Sequence, residues 1–294
     1  MSITFLTEKF IYFENNNNNM ITEIQPLVDI IALSLQSAFI KHEPNGVSLL
    51  IISEPETAKT TTIFNFSNLD FVQYYDEVTQ KKLLDDFLPL VRNKEKRTLL
   101  IPDLINCIDK QKSTRNQFLN IIKSGIDDTG IVRVSTFHKH LDIKELAFLR
   151  EMQGLKFNLI TAITSPDFKT IHRKLKSTGL LSRFIPFSYK YPIDKIRKIL
   201  DYIENENKVL GVTIPKINKK DTEIKGNPEL FRELEIVSTK LGQEYGAYGF
   251  RAQKNLQRLC KANALINKRK EVTQEDIDKI LELSKWINFK FNPL

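Results

Sequence analysis

The hydrophobic pattern divides the chain in two. Between residues 47 and 187, short apolar runs alternate with segments of helical periodicity. The run 47–52 (VSLLII) is nearly all apolar, as a strand covered on both faces requires, and comparable runs recur at 98–101 and 157–163. Weaker ones lie at 71–75 and 184–187. Apolar residues at helical spacing occupy 79–91, 113–123 and 167–176, and Leu27, Ile30, Ile31, Leu35 and Phe39 predict a helix over 21–41. Strands alternating with helices predict an α/β fold, a parallel sheet flanked by helices. One strand-like piece, 130–137, breaks the alternation and reads as a hairpin insertion. Beyond residue 200 the strand signal stops. A helix at 193–204 and a Lys- and Pro-bearing connection at 208–221 lead into three helical patterns, 228–245, 250–266 and 274–289. Thr273 is placed to cap the last of these, with Asp276 three residues on supporting the same end.

The expected organisation is an N-terminal extension with an Asn-rich linker (1–20), an α/β core (21–205) and a small all-helical domain (206–294). A chain of 294 residues that is 41% hydrophobic and 27% charged is not wholly disordered. No window approaches the ~18 consecutive apolar residues of a spanning helix, so no membrane partner is expected. Cys107 and Cys260 stand outside any C-x-x-C, and the opening segment lacks the basic start and cleavage site of a signal peptide. Both features point to a reducing cytoplasm.

Lys and Arg (44) exceed Asp and Glu (36), a net charge of +8, and the excess is clustered. Nine basic residues lie between Asp167 and Lys198, Lys169, Arg173, Lys176 and Arg183 among them. A second cluster runs from Arg251 through Lys254, Arg258 and Lys261 to Lys268, Arg269 and Lys270. Such clusters suit a polyanion, either nucleic acid or nucleotide phosphates; the plainer reading is a solvated helix face.

The first strand runs straight into Ser53-Glu54-Pro55-Glu56-Thr57-Ala58-Lys59-Thr60, followed by Thr61. Set against G-x-x-x-x-G-K-[ST], this segment keeps the Lys and the hydroxyl in register and replaces both glycines. In such a loop backbone N–H groups ring the phosphates, the Lys neutralises β/γ charge and the hydroxyl ligates Mg²⁺. Lys59 and Thr60 suit those roles, and Ala58 adds only a methyl. Glu56 must point away from bound phosphate. Residues 53–61 therefore read as a nucleotide-binding loop.

Pro55-x-Thr57-Ala58-Lys59-Thr60 resembles the P-x-T-A-K-[ST] loop of the AAA+ ATPases, in particular the MCM-like replicative helicases, and further motifs follow in family order. Residues 98–103 (TLLIPD) resemble the Walker B strand, whose Asp, here Asp103, holds Mg²⁺ through water. Residues 159–165 (LITAITS) resemble the sensor 1 strand, with Thr164 where a polar residue orients the attacking water. Residues 179–184 (GLLSRF) resemble L-L-S-R-F, whose Arg, here Arg183, enters a neighbouring subunit's site. Gly249-Phe250-Arg251 with Asn255, Leu256, Leu259 and Ala262 resembles the lid helix that carries the sensor 2 Arg, here Arg251, and 272–276 resembles the last lid helix. The resemblance covers about residues 21–290. It implies an AAA+ core with a helical lid, ATP and Mg²⁺ as cofactors, Thr60 and Asp103 at the metal, and Lys59, Asp103, Thr164, Arg183 and Arg251 in catalysis. It also implies a ring or filament of identical subunits with ATP between them, acting on DNA in a replication or helicase-like role, as in a mobile element or virus. Residues 130–141, with Arg133, His138, Lys139 and His140, are the candidate pore or DNA-contacting hairpin.

The departures bear on activity. Leu104 follows Asp103 where the family has the Glu that polarises water; with Asp103 in that slot instead, Pro102 would occupy the metal position. Either way a carboxylate is missing, a group that contributes about 10²–10⁴-fold. Asp109, Asp127 and Asp128 are candidates to replace it. Two rivals stand beside a DNA-acting ATPase: a hydrolysis-deficient nucleotide-binding scaffold, and a protein-remodelling module, for which no aromatic–hydrophobic–Gly triplet follows Thr60. Each motif residue also has a plainer role. Lys59 could simply start a helix, Asp103 cap the turn after Pro102, Thr164 open the turn before Pro166, Arg183 pair within the chain, and Arg251 line a helix face. His138 and His140 lack a third ligand for a metal.

Overall fold

The computed structural model describes residues 24–127, 155–204 and 215–294. The extension 1–20, the expected hairpin at 130–141 with its two histidines, and Asp128 lie outside the described residues. Six parallel strands form one sheet: β1 (Ser48–Ser53), β2 (Val72–Tyr74), β3 (Thr98–Ile101), β4 (Asn158–Thr164), β5 (Phe184–Lys190) and β6 (Asn292–Pro293), in the order β2-β3-β4-β1-β5-β6. All six positions of β1 are buried, which accounts for its unbroken apolar run. At the start of β4, Asn158 is fully buried; its amide donates to the Ser34 and Val47 carbonyls, and its oxygen accepts from Thr98.

Helices α1 (Gln25–Ser37), α2 (Lys59–Phe64), α3 (Gln80–Lys82), α4 (Leu88–Arg92), α5 (Ile105–Ile108), α6 (Lys112–Gly125), α7 (Ser165–Ser177) and α8 (Ile193–Glu204) accompany the sheet. The single helix expected over 79–91 carries a π-turn at Leu83–Phe87, between α3 and α4. Pro89 explains it, since a proline inside a helix has no N–H to donate one turn back.

The C-terminal region is helical, as expected, with two corrections. The 228–245 pattern is broken into α9 (Pro228–Phe231), a 3₁₀ turn (Arg232–Leu234) and α10 (Glu235–Tyr245), and α11 (Phe250–Ile266) follows. The last helix, α12 (Gln274–Leu283), starts with the Thr273/Asp276 capping box but stops well short of 289. There the chain turns back to the sheet: Ser188 N–H donates to the Trp286 carbonyl at 2.9 Å, and β6 pairs with the end of β5. Two residues are too few for an alternating pattern, so β6 left no strand signal.

α11 packs along α1. The Glu43 carboxylate ties the two regions together by accepting from Arg258 at 3.0 Å and from Lys261. Tyr245 adds a hydrogen bond to the Phe184 carbonyl at 2.7 Å, and Lys279 an ion pair to Asp29 at 2.7 Å. The turn between α10 and α11 requires glycine at 249, where φ is +83° and a Cβ would lie 2.3 Å from the Ser238 carbonyl oxygen.

The strand order fixes where a ligand can sit. β1 and β4 are neighbours, yet the chain leaves β1 for β2 at the far edge and leaves β4 for β5 on the other side of β1. Diverging connections open a crevice at the carboxyl ends of such a pair, the usual binding position in open parallel sheets. Among the described residues no helix is long and apolar enough to cross a membrane.

Candidate functional site

The loop after β1 turns at the mouth of that crevice. Glu56 and Ala58 both hold left-handed backbone, at φ 60° and 61°, which explains why glycine is favoured at the position of Ala58. Such bends turn successive N–H groups to one side, the geometry of an anion-binding concavity. Ser53, in place of the first glycine, is fully buried, and its hydroxyl bonds that of Thr57. Thr57 in turn donates to the Glu54 carbonyl at 2.8 Å. The hydroxyls of Tyr189, on β5, and Tyr191, just beyond it, both donate to the Thr57 carbonyl, at 2.8 and 2.9 Å. Burial pushes the Tyr189 phenol up to about 12, so it stays protonated as a donor. Glu56, Thr60 and Thr61 are exposed.

Lys59 opens α2. Its ammonium bends back onto the Glu54 carbonyl at 2.7 Å and the Ser53 carbonyl at 3.3 Å. Burial lowers its pKa, while Asp103, Glu54 and Asp167 hold it up, so three carboxylates share its field. Asp103 lies just past β3, where its carboxylate accepts from the Ile105 N–H at 3.2 Å and so also caps a turn. Its pKa is raised, first by burial and then by Asp167, against the opposing pull of the Ile105 N–H and Lys59. Leu104 is directed into the core, 1% exposed, and its N–H bonds the Ala162 carbonyl of β4 at 2.8 Å.

Thr164 ends β4 as the register partner of Ser53. It is the N-cap of α7, accepting from the Asp167 N–H at 3.3 Å while its hydroxyl donates to the Asp167 carboxylate at 2.5 Å. The adjacent Ser165 donates to the Glu54 carboxylate. Lys59, Asp103 and Thr164 are thus brought together from three strand ends. Sequence reading placed Glu54 in the loop but missed Asp167 as a partner of this group. Asp167 carried a signal, an acid at the third position of a helix that starts beside the sensor-1-like strand, but it stood out only as a charge within a basic cluster.

Arg183 and Arg251 are elsewhere. Arg183 directly precedes Phe184, which pairs with Ser48 at the start of β1, whereas the Lys59 loop leaves its end. A six-residue strand spans about 20 Å, so the arginines lie at the opposite end of the strands. There they converge on one acid. Arg183, about nine-tenths buried, pairs with the buried Asp127, and Arg251 joins the same carboxylate at 3.3 Å. Asp127, one candidate for the missing carboxylate, is therefore engaged far from Lys59. Arg183 also donates to the Gly179 carbonyl.

A bent loop, a buried Lys and, from the end of β3, an acid thus meet at the β1/β4 switch point of a parallel α/β sheet. Residues 238–284 match the family model of the AAA lid domain, a stretch that runs from within α10 through α11 and α12. With the parallel sheet ahead of it, this gives the chain an AAA+-type α/β fold with a C-terminal helical lid, and it supports an AAA+ ATPase-type protein. The match does not extend to the Lys59 loop. No curated protein matches the chain.

Proposed function

We propose that the chain is a nucleotide-binding AAA+ module that takes Mg-ATP in the crevice between β1 and β4. The observation that carries this reading is Lys59, a buried cation held by the carbonyls of its own left-handed loop and facing Asp103. A nucleotide would exchange those two carbonyls for phosphate oxygens. The donor set fits a hard divalent ion, with the Thr60 hydroxyl and the Asp103 carboxylate as oxygen ligands. Calorimetric titration of the wild-type chain with ATP, with and without Mg²⁺, tests the reading; absence of Mg-dependent binding rejects it.

Assembly is the second part of the proposal. Arg183 and Arg251 lie about a strand's length from the Lys59 of their own chain, so any phosphate they meet on leaving Asp127 belongs to another chain, in a head-to-tail ring or filament. Tyr248 and Phe250 support this. They are 86% and 72% exposed, stacked on each other beside Arg251, and give that pole an apolar contact for a second copy. Light scattering with and without nucleotide tests it.

DNA is the partner we favour, in an MCM-like or helicase-like role in the cytoplasm. Support comes from Lys169, Arg173 and Lys176, exposed at helical spacing on α7 and without ion pairs among the described residues. Most of the second basic cluster has other work: Arg251 on Asp127, Arg258 and Lys261 on Glu43, Arg269 on Glu275 and Asp276. Lys268 and Lys270 remain exposed. Salt-sensitive, sequence-tolerant retardation of DNA that weakens on charge reversal of the α7 stripe is the expected result. A second reading, a hydrolysis-deficient nucleotide-binding scaffold, is favoured by one observation, that residue 104 is a core leucine.

A further inference from the structure

The β3 turn offers one acid to the crevice, and the neighbouring position is committed to packing. A second acid is nevertheless present. Asp167 stands at the third residue of α7, and three contacts fix the turn that carries it between the two loops of the site. Ser53 pairs with Thr164 across β1 and β4. Ser165 bonds Glu54 of the phosphate loop, and the Leu104 N–H bonds Ala162, two residues before Thr164. The Thr164 hydroxyl, already engaged with Asp167, has one hydrogen and has given it to that carboxylate. Thr164 is therefore arranged to orient an acid, with no hydrogen left to donate to water.

We propose that Asp167 is the water-activating carboxylate of this site, oriented by Thr164, and that it replaces the acid missing at residue 104. The inference rests on the reading of the crevice as an Mg-ATP site. In the step it supports, the Asp167 carboxylate takes a proton from water as the water oxygen bonds the γ-phosphorus. The bond from that phosphorus to the β–γ bridging oxygen breaks, and ADP leaves with the electron pair. Asp103 and Thr60 remain available as metal ligands. Lys59 lies in the field of both Asp103 and Asp167, so the two acids share one site.

The test is Asp167→Asn in the full chain, since Asn keeps the size and can still accept at the helix cap. Single-turnover hydrolysis and binding of a fluorescent ATP analogue are measured together, with Thr164→Val as the positioning variant. The expected result is a hydrolysis rate lower by about 10²-fold or more with affinity within about threefold. Thr164→Val should lower the rate while leaving affinity within about threefold, because the carboxylate loses the donor that orients it. Three results would overturn the assignment: wild-type turnover in Asp167→Asn, a parallel loss of binding and rate in that variant, or a wild-type chain that binds Mg-ATP without hydrolysing it. The last leaves the nucleotide reading standing, whereas a wild-type chain that does not bind Mg-ATP removes both.

Discussion

Ser53 and Thr164 are register partners on the last rung shared by β1 and β4. That single pairing brings the phosphate-type loop, which leaves Ser53, against the helix start that follows Thr164. It lets Ser165 reach Glu54 and brings Asp167, held by Thr164, into the field of Lys59. The site is therefore a product of strand order. Residues about 110 positions apart meet because β4 is inserted next to β1.

Leu104 yields a prediction that sequence alone would reverse. Restoring the family's acid by Leu104→Glu looks like a repair. Yet the side chain at 104 is 1% exposed and its backbone is fixed to Ala162, so the new carboxylate would be buried without a partner. Uncompensated buried charge costs about 3 kcal/mol or more. The variant should melt well below wild type and gain no ATPase activity. A stable Leu104→Glu protein with faster turnover would show that residue 104 faces the nucleotide.

Asp127 balances two guanidinium groups, one of them buried. Asp127→Ala leaves the buried Arg183 beside Arg251 with its chief counter-charge gone, a change that typically costs about 3–5 kcal/mol. Asp127→Asn, which keeps one acceptor, should cost less. Denaturant unfolding of both variants checks this. Wild-type stability in the Ala variant would mean that the pair contributes nothing to the fold.

Glu43 predicts how the lid contact responds to acid. Burial alone would raise its pKa, but Lys261 and Arg258 more than offset this and hold it below the ordinary value of 4.5. A carboxylate depressed in the folded state contributes stability that is fully present above the unfolded value. That contribution is lost as pH falls through the folded one. Unfolding free energy should therefore decline below about pH 4.5, and Glu43→Gln should remove part of that slope while lowering stability at neutral pH. Parallel pH profiles for the two proteins would exclude Glu43 as a contributor.

Much of this arrangement was legible in the sequence, for reasons particular residues make clear. β1 and β4 are buried on both faces, so their apolar runs are unbroken and their helical intervals stand out. Lys59 and Asp103 stand at short, fixed distances beyond the ends of β1 and β3, and a motif of fixed spacing marks such positions. The capping box of α12 is local and was visible as Thr273 and Asp276. Long-range partners leave no such mark. Nothing in the spacing announces that Arg183 meets an acid 56 positions earlier, or that Arg258 and Lys261 turn inward to Glu43. The second basic cluster accordingly read as a surface feature, although its inward members tie the lid to the core. Asp167 was hidden in the same way, because its importance comes from the neighbours that strand order gives it.

The central claim is that the loop holding Lys59 binds nucleotide phosphates. Its most direct test is titration of a fluorescent ATP analogue with Mg²⁺ into wild type and Lys59→Ala, with thermal melting of each as the control for folding. Among the described residues the ammonium donates only to the Ser53 and Glu54 carbonyls of its own loop, and its removal also relieves its own burial, so melting should shift by no more than a few degrees. Affinity should fall by about tenfold or more, the loss of a charge-assisted contact to phosphate. Equal affinity in the two folded proteins would contradict the account.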